Sequence, residues 1–255
     1  MDLGLAGRAY LLTGASRGLG RATAEHLVRD GADVVVSSRT PGSVARAAEE
    51  LDALGPGSAV GVPADLADDR SAELLLSAVD EHLGRLDGVV ISVGGPPGGT
   101  VSEATDEQWR AAFDSVFLGA VRLARTALAQ ARAPIAVTLV LSTSVRAPLP
   151  GLGISNGLRP GLAMAAKSLA DEHGPRGHRV NAVLPGRFET DRVRELEEAA
   201  PDAAALRERM LSAIPLRRYG QPEEFGAVAA FVTSPMASYL TGSVVTVDGG
   251  STRAL

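Results

Sequence analysis

Short apolar runs alternate along the chain with longer amphipathic segments. Several runs are continuous in valine, leucine and isoleucine, which is typical of strands buried on both faces of a sheet. The runs predicted as strands are Ala9–Thr13, Asp33–Ser38, Ala59–Val62, Gly88–Ser92, Ile135–Ser142, Arg179–Leu184 and Ser243–Val247. Helical periodicity is clearest in Arg21–Asp30, Arg70–Leu83, Asp106–Ala131 and Leu162–His173.

This alternation of strands and helices predicts an α/β fold. We expect one Rossmann-like, doubly wound domain with a seven-stranded parallel sheet flanked by helices. No linker, repeat or low-complexity tract divides the sequence, so residues 1–255 are predicted to form a single domain. Most proline and glycine residues follow the predicted strands, where such a sheet places its ligand loops.

A glycine-rich turn follows the first predicted strand and opens the first helix. Its sequence is Thr13-Gly14-Ala15-Ser16-Arg17-Gly18-Leu19-Gly20, with the spacing G-x-x-x-G-x-G. Glycines let the backbone approach a pyrophosphate, whose charge then meets the helix N-terminus. The residues predicted to bind a dinucleotide here are Gly14, Ser16, Arg17, Gly18, Leu19 and Gly20. The alternative is a tight turn that serves only helix–strand packing.

The residues after the second strand indicate which dinucleotide is bound. An acid at this point would accept a hydrogen bond from a ribose hydroxyl and favour NAD(H), whereas the chain has Ser37-Ser38-Arg39-Thr40. Arg39 and Arg17 would together hold a 2′-phosphate, so NADP(H) is favoured, unless both arginines are merely solvated. Asp65, followed by Leu66, is placed to bind the adenine amine, or alternatively to cap a helix.

Composition narrows the classes of function. The chain has 25 basic and 30 acidic residues, a formal net charge of -5, and no cysteine. No basic block is present, which argues against binding to nucleic acid or an anionic membrane. Without cysteine there is no disulfide, thiol nucleophile or Cys-ligated zinc, and no metal site is predicted. No apolar run reaches the roughly 18 residues of a membrane span. The start lacks a signal-peptide pattern, so we expect a cytoplasmic protein with a small-molecule substrate.

Further motifs extend from the sixth predicted strand to the C-terminus. They are Arg179–Gly186, Glu189–Asp191, Pro215–Glu224, Tyr239–Gly242 and Val247–Gly250. With these motifs and the glycine turn, the chain resembles the short-chain dehydrogenase/reductase family, in particular its β-ketoacyl-ACP reductases. The resemblance implies an oxidoreductase for a carbonyl or alcohol and a homo-oligomer, a tetramer or a dimer. It also implies further cofactor contacts by Gly94, Pro185, Gly186, Phe188 and Thr190.

The family's chemistry implies a catalytic Asn, Ser, Tyr and Lys, with the last two spaced Y-x-x-x-K on one helix face. Counting back from Lys167 and Asn181 places the Tyr and Lys positions at Ser155 and Arg159. Lys167 lies two helical turns further on and is not the family lysine. Arg159 can still bind a nicotinamide ribose.

The other two catalytic positions are also changed or ambiguous. The Asn position falls on Val116. The family serine is Ser144 by strand register and Ser142 by its distance from the tyrosine position, so both are retained, with a preference for Ser144. The candidate catalytic residues are therefore Ser142, Ser144, Ser155 and Arg159.

These replacements leave the activity open. An alkyl hydroxyl such as that of Ser155 has a pKa far above the value of about 10 for a phenol, and Arg159 cannot relay protons. The leading hypothesis is an NADP(H)-dependent oxidoreductase with a non-standard active site. The alternatives are a catalytically impaired nucleotide-binding pseudo-enzyme or partner subunit, and a non-redox lyase or isomerase.

The position of Pro160 predicts where the helix that carries Arg159 begins. Proline is tolerated in the first turn of a helix but disrupts its interior. We therefore predict that the helix begins within 156–159. The alternative is a kinked helix that begins near Gly153.

Overall fold

A computed structural model describes residues 2–198 and 202–254, without the side chain of Leu196. One parallel sheet has the order β3-β2-β1-β4-β5-β6-β7. The strands are β1 (Ala9–Thr13), β2 (Asp33–Ser38), β3 (Ala59–Pro63), β4 (Gly88–Ser92), β5 (Ala136–Val140), β6 (Arg179–Pro185) and β7 (Val244–Val247). The predicted doubly wound α/β fold with a seven-stranded parallel sheet is confirmed, and the strand bounds differ from those predicted by at most two residues.

Helices cover both faces of the sheet. They are α1 (Gly18–Arg29), α2 (Pro41–Asp52), α3 (Ser71–Leu83), α4 (Asp106–Ala112), α5 (Gly119–Gln130), α6 (Gly153–His173), α7 (Asp191–Glu198), α8 (Ala203–Ala213) and α9 (Pro222–Thr233). Side chains alternate between the faces of a strand, so Leu11 packs into the core under α3, α5 and α6, and Leu12 into the core under α1, α2 and α9. In the described part of the chain, no helix is both long enough and apolar enough to cross a bilayer.

The predicted start of the Pro160 helix is wrong, and the alternative start is observed. Helix α6 begins at Gly153, whose N–H donates to the carbonyl of Gly99 at 2.9 Å. The first turn then forms ahead of Pro160, with the N–H of Asn156 donating to the carbonyl of Leu152 at 2.8 Å. Proline removes one helical hydrogen bond, and tertiary anchoring at the helix start outweighs that local loss.

The predicted continuous helix Asp106–Ala131 is interrupted. Between α4 and α5 the chain forms a π-helical segment, Phe113–Leu118, which contains the buried Val116. Just beyond it, a Cβ on Gly119 would lie 2.2 Å from the carbonyl oxygen of Leu66. Such π segments often occur at functional sites, and this one contains the position predicted to match the family Asn.

Candidate active site

The glycine turn lies where the order of the strands in the sheet reverses, next to β1. From β1 the chain proceeds to β2 and β3 on one side, and β4 lies on the other side of β1. The Thr13 hydroxyl ties the ends of β1 and β4 together, donating to the carbonyl of Ser92 at 2.9 Å and accepting from its N–H at 3.1 Å. The crevice at such a switch point is where open α/β sheets bind ligands.

Each glycine of this turn has a physical reason to lack a side chain. Gly14 and Gly18 have positive φ angles of 59° and 60°, a region that disfavours other residues. A Cβ on Gly14 would lie 2.5 Å from the carbonyl oxygen of Ser92, and one on Gly20 would lie 2.5 Å from the carbonyl oxygen of Gly14. Helix α1 then begins at Gly18 without a side-chain cap from the described residues. The turn therefore brings unpaired backbone N–H groups to an open surface, an arrangement that fits a pyrophosphate.

The groups predicted to bind the 2′-phosphate lie at the rim of the crevice. Arg39 is exposed at the end of β2. The guanidinium of Arg17 is exposed too, and its Nη1 lies 3.2 Å from a carboxylate oxygen of Glu195 on α7. The hydroxyl of Ser38, the residue before Arg39, is buried without a hydrogen-bond partner among residues 2–198 and 202–254. An unpaired buried hydroxyl next to an exposed arginine fits an anionic ligand.

The remaining predicted adenine contacts lie after β3. The carboxylate of Asp65 accepts a hydrogen bond from the N–H of Ala67 at 3.0 Å. Because α3 begins at Ser71, the alternative that Asp65 caps a helix is wrong. Leu66 approaches α5, and the guanidinium of Arg122 donates to its carbonyl at 3.4 Å.

The loop after β6 closes the crevice from the other side. Gly186 packs so tightly that a Cβ there would lie 2.6 Å from the Cβ of Asp248, and Phe188 is buried edge-on against Phe225 with 5.6 Å between ring centroids. The methyl of Thr190 lies 3.8 Å from the position that a Cβ on Gly18 would occupy. This contact brings the loop of Pro185 and its neighbours against the glycine turn. Gly94, in the loop after β4, is exposed.

The candidate catalytic residues converge at the carboxyl end of β5. Ser144 and Ser155 are both buried, and their hydroxyl oxygens lie 3.3 Å apart. Ser142 instead caps the short 3-10 turn Thr143–Val145, its hydroxyl accepting from the N–H of Ser144 at 3.1 Å. The structure thus brings Ser144, rather than Ser142, into contact with Ser155. Which serine matches the family serine stays a prediction.

Arg159 lies four residues after Ser155 on the same face of α6. Its side chain is buried, and its Nη1 donates to the carbonyls of Val140 at 3.2 Å and Leu141 at 2.9 Å. Burial lowers the pKa of Arg159 to about 10, because the charged form loses its hydration. The guanidinium therefore remains protonated at neutral pH.

Asn156 is a residue of this site that the sequence reasoning missed. Its side-chain oxygen accepts from the N–H of Leu149 at 3.0 Å, and its amide nitrogen donates to the carbonyl of Leu149 at 2.9 Å. This two-way contact holds the loop before α6 beside Ser155. The only sequence signal was the position of Asn156 between two candidate residues.

Tyr10, Tyr219 and Tyr239 lie outside the cluster formed by Ser144, Ser155 and Arg159. Tyr219 is buried, and its hydroxyl donates to Glu197 at 2.5 Å. Burial raises the pKa of Tyr219 to about 12, and the hydrogen bond to Glu197 adds to the effect. Tyr10 is in β1 and Tyr239 is fully exposed. Within the described residues, no tyrosine hydroxyl bonds to Ser144, Ser155 or Arg159.

Known proteins resemble this chain over nearly its whole length. Residues 14–252 match the family model described as enoyl-(acyl carrier protein) reductase. The 3-oxoacyl-(acyl-carrier-protein) reductase of Pseudomonas aeruginosa is 34% identical over 250 residues, which cover 97% of this chain and 98% of that protein. The L-rhamnose 1-dehydrogenase (NAD(P)(+)) of Azotobacter vinelandii is 34% identical over 252 residues, 95% of this chain and 96% of that protein.

Solved structures also resemble this chain over its whole length. L-sorbose reductase from Gluconobacter frateurii, complexed with NADPH and L-sorbose, superposes with a TM-score of 0.93 at 30% identity, covering 100% of both chains. The relatives are named for a thioester-linked acid and two sugars, so they differ in substrate. The match includes the glycine turn, the loop after β6 and the C-terminal strand. The chain belongs to the short-chain dehydrogenase/reductase family.

Proposed function

We propose that the protein is an NADP(H)-dependent oxidoreductase that acts on a small carbonyl or alcohol substrate through a non-standard active site. The observation that carries this proposal is the cradle formed by Gly14, Gly18 and Gly20 at the start of α1. Every helix begins with unpaired N–H groups, and those of α1 lie at the switch point of the sheet, where open α/β sheets bind their ligands.

The preference for NADP(H) rests on charge at the rim. Arg39 and Arg17 would hold the 2′-phosphate, and Arg17 would then exchange its contact with Glu195 for the ligand. Residues 37–40 contain no acid that would select a ribose hydroxyl. L-sorbose reductase is complexed with NADPH, whereas the name of the rhamnose dehydrogenase allows both cofactors. The preference of this chain for NADP(H) is therefore argued from Arg17 and Arg39.

The remaining proposed cofactor contacts are those predicted from the sequence. Asp65 and Leu66 would bind the adenine, and Gly94 would lie against the middle of the cofactor. The nicotinamide side would be held by Pro185, Gly186, Phe188 and Thr190, with the ribose near Arg159. When bound, NADPH supplies the hydride for the reduction.

Ser144, Ser155 and Arg159 would orient the substrate oxygen and stabilise the negative charge that develops on it. In the pair formed by Ser144 and Ser155, one hydroxyl donates to the other and the second hydroxyl keeps its proton free to donate to a substrate oxygen. The buried guanidinium of Arg159 stabilises negative charge on that oxygen. Neither serine is acidic enough to give up a proton as a phenol would. Water is no stronger an acid than a serine hydroxyl, so Arg159 would stabilise the developing alkoxide until it takes up a proton from bulk solvent, directly or through the serine pair.

A nucleotide-binding pseudo-enzyme or partner subunit is the second candidate. The observation in its favour is that no tyrosine in the described chain bonds to the serine–arginine cluster. In either case we propose a cytoplasmic protein with a single domain over residues 1–255 that assembles as a homo-oligomer, a tetramer or a dimer.

Calorimetric titration with NADPH and NADH tests the proposal. We expect NADPH to bind at least about tenfold more tightly than NADH, and Arg39→Ala to remove most of that difference, because a phosphate–guanidinium contact is lost. The matched control is Arg132→Ala, an exposed arginine that pairs with Asp80. A panel of carbonyl substrates follows. NADPH binding without turnover selects the pseudo-enzyme, and failure of both nucleotides to bind contradicts both candidates.

A further inference from the structure

Arg159 is a buried cation without a counter-ion. The residue is 6% exposed. Among residues 2–198 and 202–254, no carboxylate lies within 4.0 Å of its guanidinium. Buried ionised groups are ordinarily paired, because transfer of a charge out of water is costly. Arginine cannot avoid that cost by losing its proton at neutral pH.

The contacts of Arg159 leave half of the guanidinium unused. Nη1 donates to the carbonyls of Val140 and Leu141, and no described residue accepts a hydrogen bond from Nε or Nη2. Arg179, an arginine of intermediate exposure in β6, makes a useful contrast. Both of its terminal nitrogens are used, donating to carbonyls of Val232 and Leu240 through Nη1 and of Thr233 and Ser234 through Nη2. Arg179 is thus satisfied by the fold, and Arg159 is not.

The groups beside Arg159 are also hydrogen-bond donors. Ser155 is one helical turn earlier on the same face of α6, and Ser144 lies 3.3 Å from it. Val116, which occupies the position predicted for the family Asn, is apolar. The cluster therefore offers a guanidinium edge and hydroxyl protons with no negative charge to balance them. Its location at the carboxyl end of β5 is the edge of the sheet where ligands bind.

We propose that this unpaired edge binds a carboxylate of the substrate, so that the substrate is an oxo acid, or the corresponding hydroxy acid, rather than a neutral ketone or sugar. Nε and Nη2 form one of the two edges of a guanidinium that match a carboxylate with two parallel hydrogen bonds. The inference rests on the proposed function, because it takes the reacting carbonyl to lie near the serine pair. The second N–H of Nη2 lies outside this edge and can still donate to a ribose hydroxyl, which would not neutralise the charge.

The chain contains its own reporter for this site. Trp109 is the one tryptophan of the sequence. Its ring packs on α6 at Gly157, where a Cβ would lie 2.6 Å from the indole. Gly157 lies between Ser155 and Arg159, so ligand binding at the cluster is expected to change the fluorescence of Trp109. This signal measures binding without turnover.

The test compares acids with their methyl esters. Protein saturated with NADP⁺, which cannot reduce an oxo group, is titrated with 2-oxohexanoate, 4-oxohexanoate and the methyl ester of each. We expect at least one acid to bind about tenfold or more tightly than its ester, since only the acid offers a charge-assisted contact. Equal affinities throughout, or no binding by any acid, would overturn the inference.

Substitutions of Arg159 test whether this residue causes the preference for the acid over its ester. Arg159→Gln should remove the preference for the acid, and Arg159→Lys, which keeps the charge but lacks the planar fork, should retain part of it. Lys167→Gln is the matched control, because this residue is an exposed cation on the same helix that pairs with Asp171 at 2.6 Å. Circular dichroism checks that each variant folds. If Arg159→Gln does not fold, Arg159→Lys decides: an unchanged ratio of acid to ester affinity for Arg159→Lys contradicts the bidentate contact.

The outcomes separate this inference from the proposed function. If NADPH is bound and neutral ketones are reduced while acids are not, the oxo-acid assignment fails and the oxidoreductase stands. If neither NADPH nor NADH binds and the acids still bind through Arg159 to protein without nucleotide, the proposed function fails and the anion site stands. With active protein, the ester should differ from the acid mainly in KM, because the carboxylate contact is made in the ground state as well.

Discussion

A single methyl group decides whether the cofactor turn can form. Gly14 combines a positive φ with a close approach to Ser92, so two independent constraints exclude a side chain there. Gly20 has no such backbone constraint, and its Cβ would still meet the carbonyl oxygen of Gly14 at 2.5 Å. Gly20 therefore isolates the effect of close packing from that of backbone conformation.

Gly20→Ala is the prediction at the scale of the residue. The added methyl must push the turn away from α1, and the misplaced backbone N–H groups would then bind pyrophosphate poorly. We expect the affinity for NADPH to fall about tenfold or more, and the free energy of unfolding to fall by about 1–3 kcal/mol, as for overpacking of a tight core. Calorimetric titration and urea unfolding measure the two quantities.

Gly42→Ala is the control for this substitution. Gly42 is in the first turn of α2, and a Cβ there would have no atom within 4 Å. Replacing a helical glycine in open space should leave NADPH affinity unchanged and stabilise the fold by about 0.4–1 kcal/mol. Equal losses of affinity in both variants would show that the contact with Gly14 is not what shapes the turn.

Sequence reasoning placed Ser155 and Arg159 by counting back from Lys167 and Asn181. Both residues lie on one face of α6, and their roles in the site stay a prediction. The burial of Arg159 and the clamp made by Asn156 could not be predicted, because each depends on a partner from another segment, β5 in one case and Leu149 in the other. Such pairings are set by tertiary packing rather than by local pattern.

At the scale of the element, helices α7 and α8 are held to the body by a small buried cluster. Glu197 on α7 accepts from the hydroxyl of Tyr219 at 2.5 Å and pairs with Arg207 on α8 at 3.1 Å. The guanidinium of Arg207 lies 4.6 Å from the centroid of the Tyr219 ring and also pairs with Glu189. One hydroxyl thus joins both helices to the segment before α9.

Tyr219→Phe tests this attachment. The variant keeps the ring beneath Arg207 and leaves the buried carboxylate of Glu197 short of one donor, which costs about 1–3 kcal/mol. We expect faster hydrogen–deuterium exchange within 191–213, measured by mass spectrometry, with little change in β1 or β4. Tyr239→Phe, at a fully exposed tyrosine, should exchange as the unmodified protein does. Unchanged exchange in Tyr219→Phe would mean that other contacts hold the two helices.

The strands were predictable because buried parallel strands appear in the sequence as continuous apolar runs. The bounds of the helices were less predictable from the sequence. The rule against an interior proline misplaced the start of α6, since contacts of Gly153 and Asn156 stabilise its first turn. The π-helical segment Phe113–Leu118 has the same apolar periodicity as its α-helical flanks, so no local pattern distinguishes it.

At the scale of the whole molecule, an apolar surface spans two neighbouring helices. Phe113 is 43% exposed and stacks on Phe117 with 5.3 Å between ring centroids. Phe117 packs at Gly161 of α6, where a Cβ would lie 3.2 Å from its ring. Met164 is three residues further on α6, on the same face, and is 67% exposed. Contiguous exposed apolar side chains of this kind mark interaction surfaces.

Met164→Glu tests whether a second copy of the chain covers this surface. A carboxylate buried at a symmetric interface would lie near its own copy and lose its hydration, so the proposed dimer or tetramer should dissociate by at least one step. Sedimentation equilibrium measures the mass. Leu74→Glu, which places the same charge at a half-exposed leucine of α3, should leave the assembly intact. An unchanged mass for Met164→Glu, or equal dissociation in both variants, would exclude this face as the contact. Dissociation of Met164→Glu alone would place Ser155 and Arg159, which lie on the same helix, within about three turns of a subunit interface.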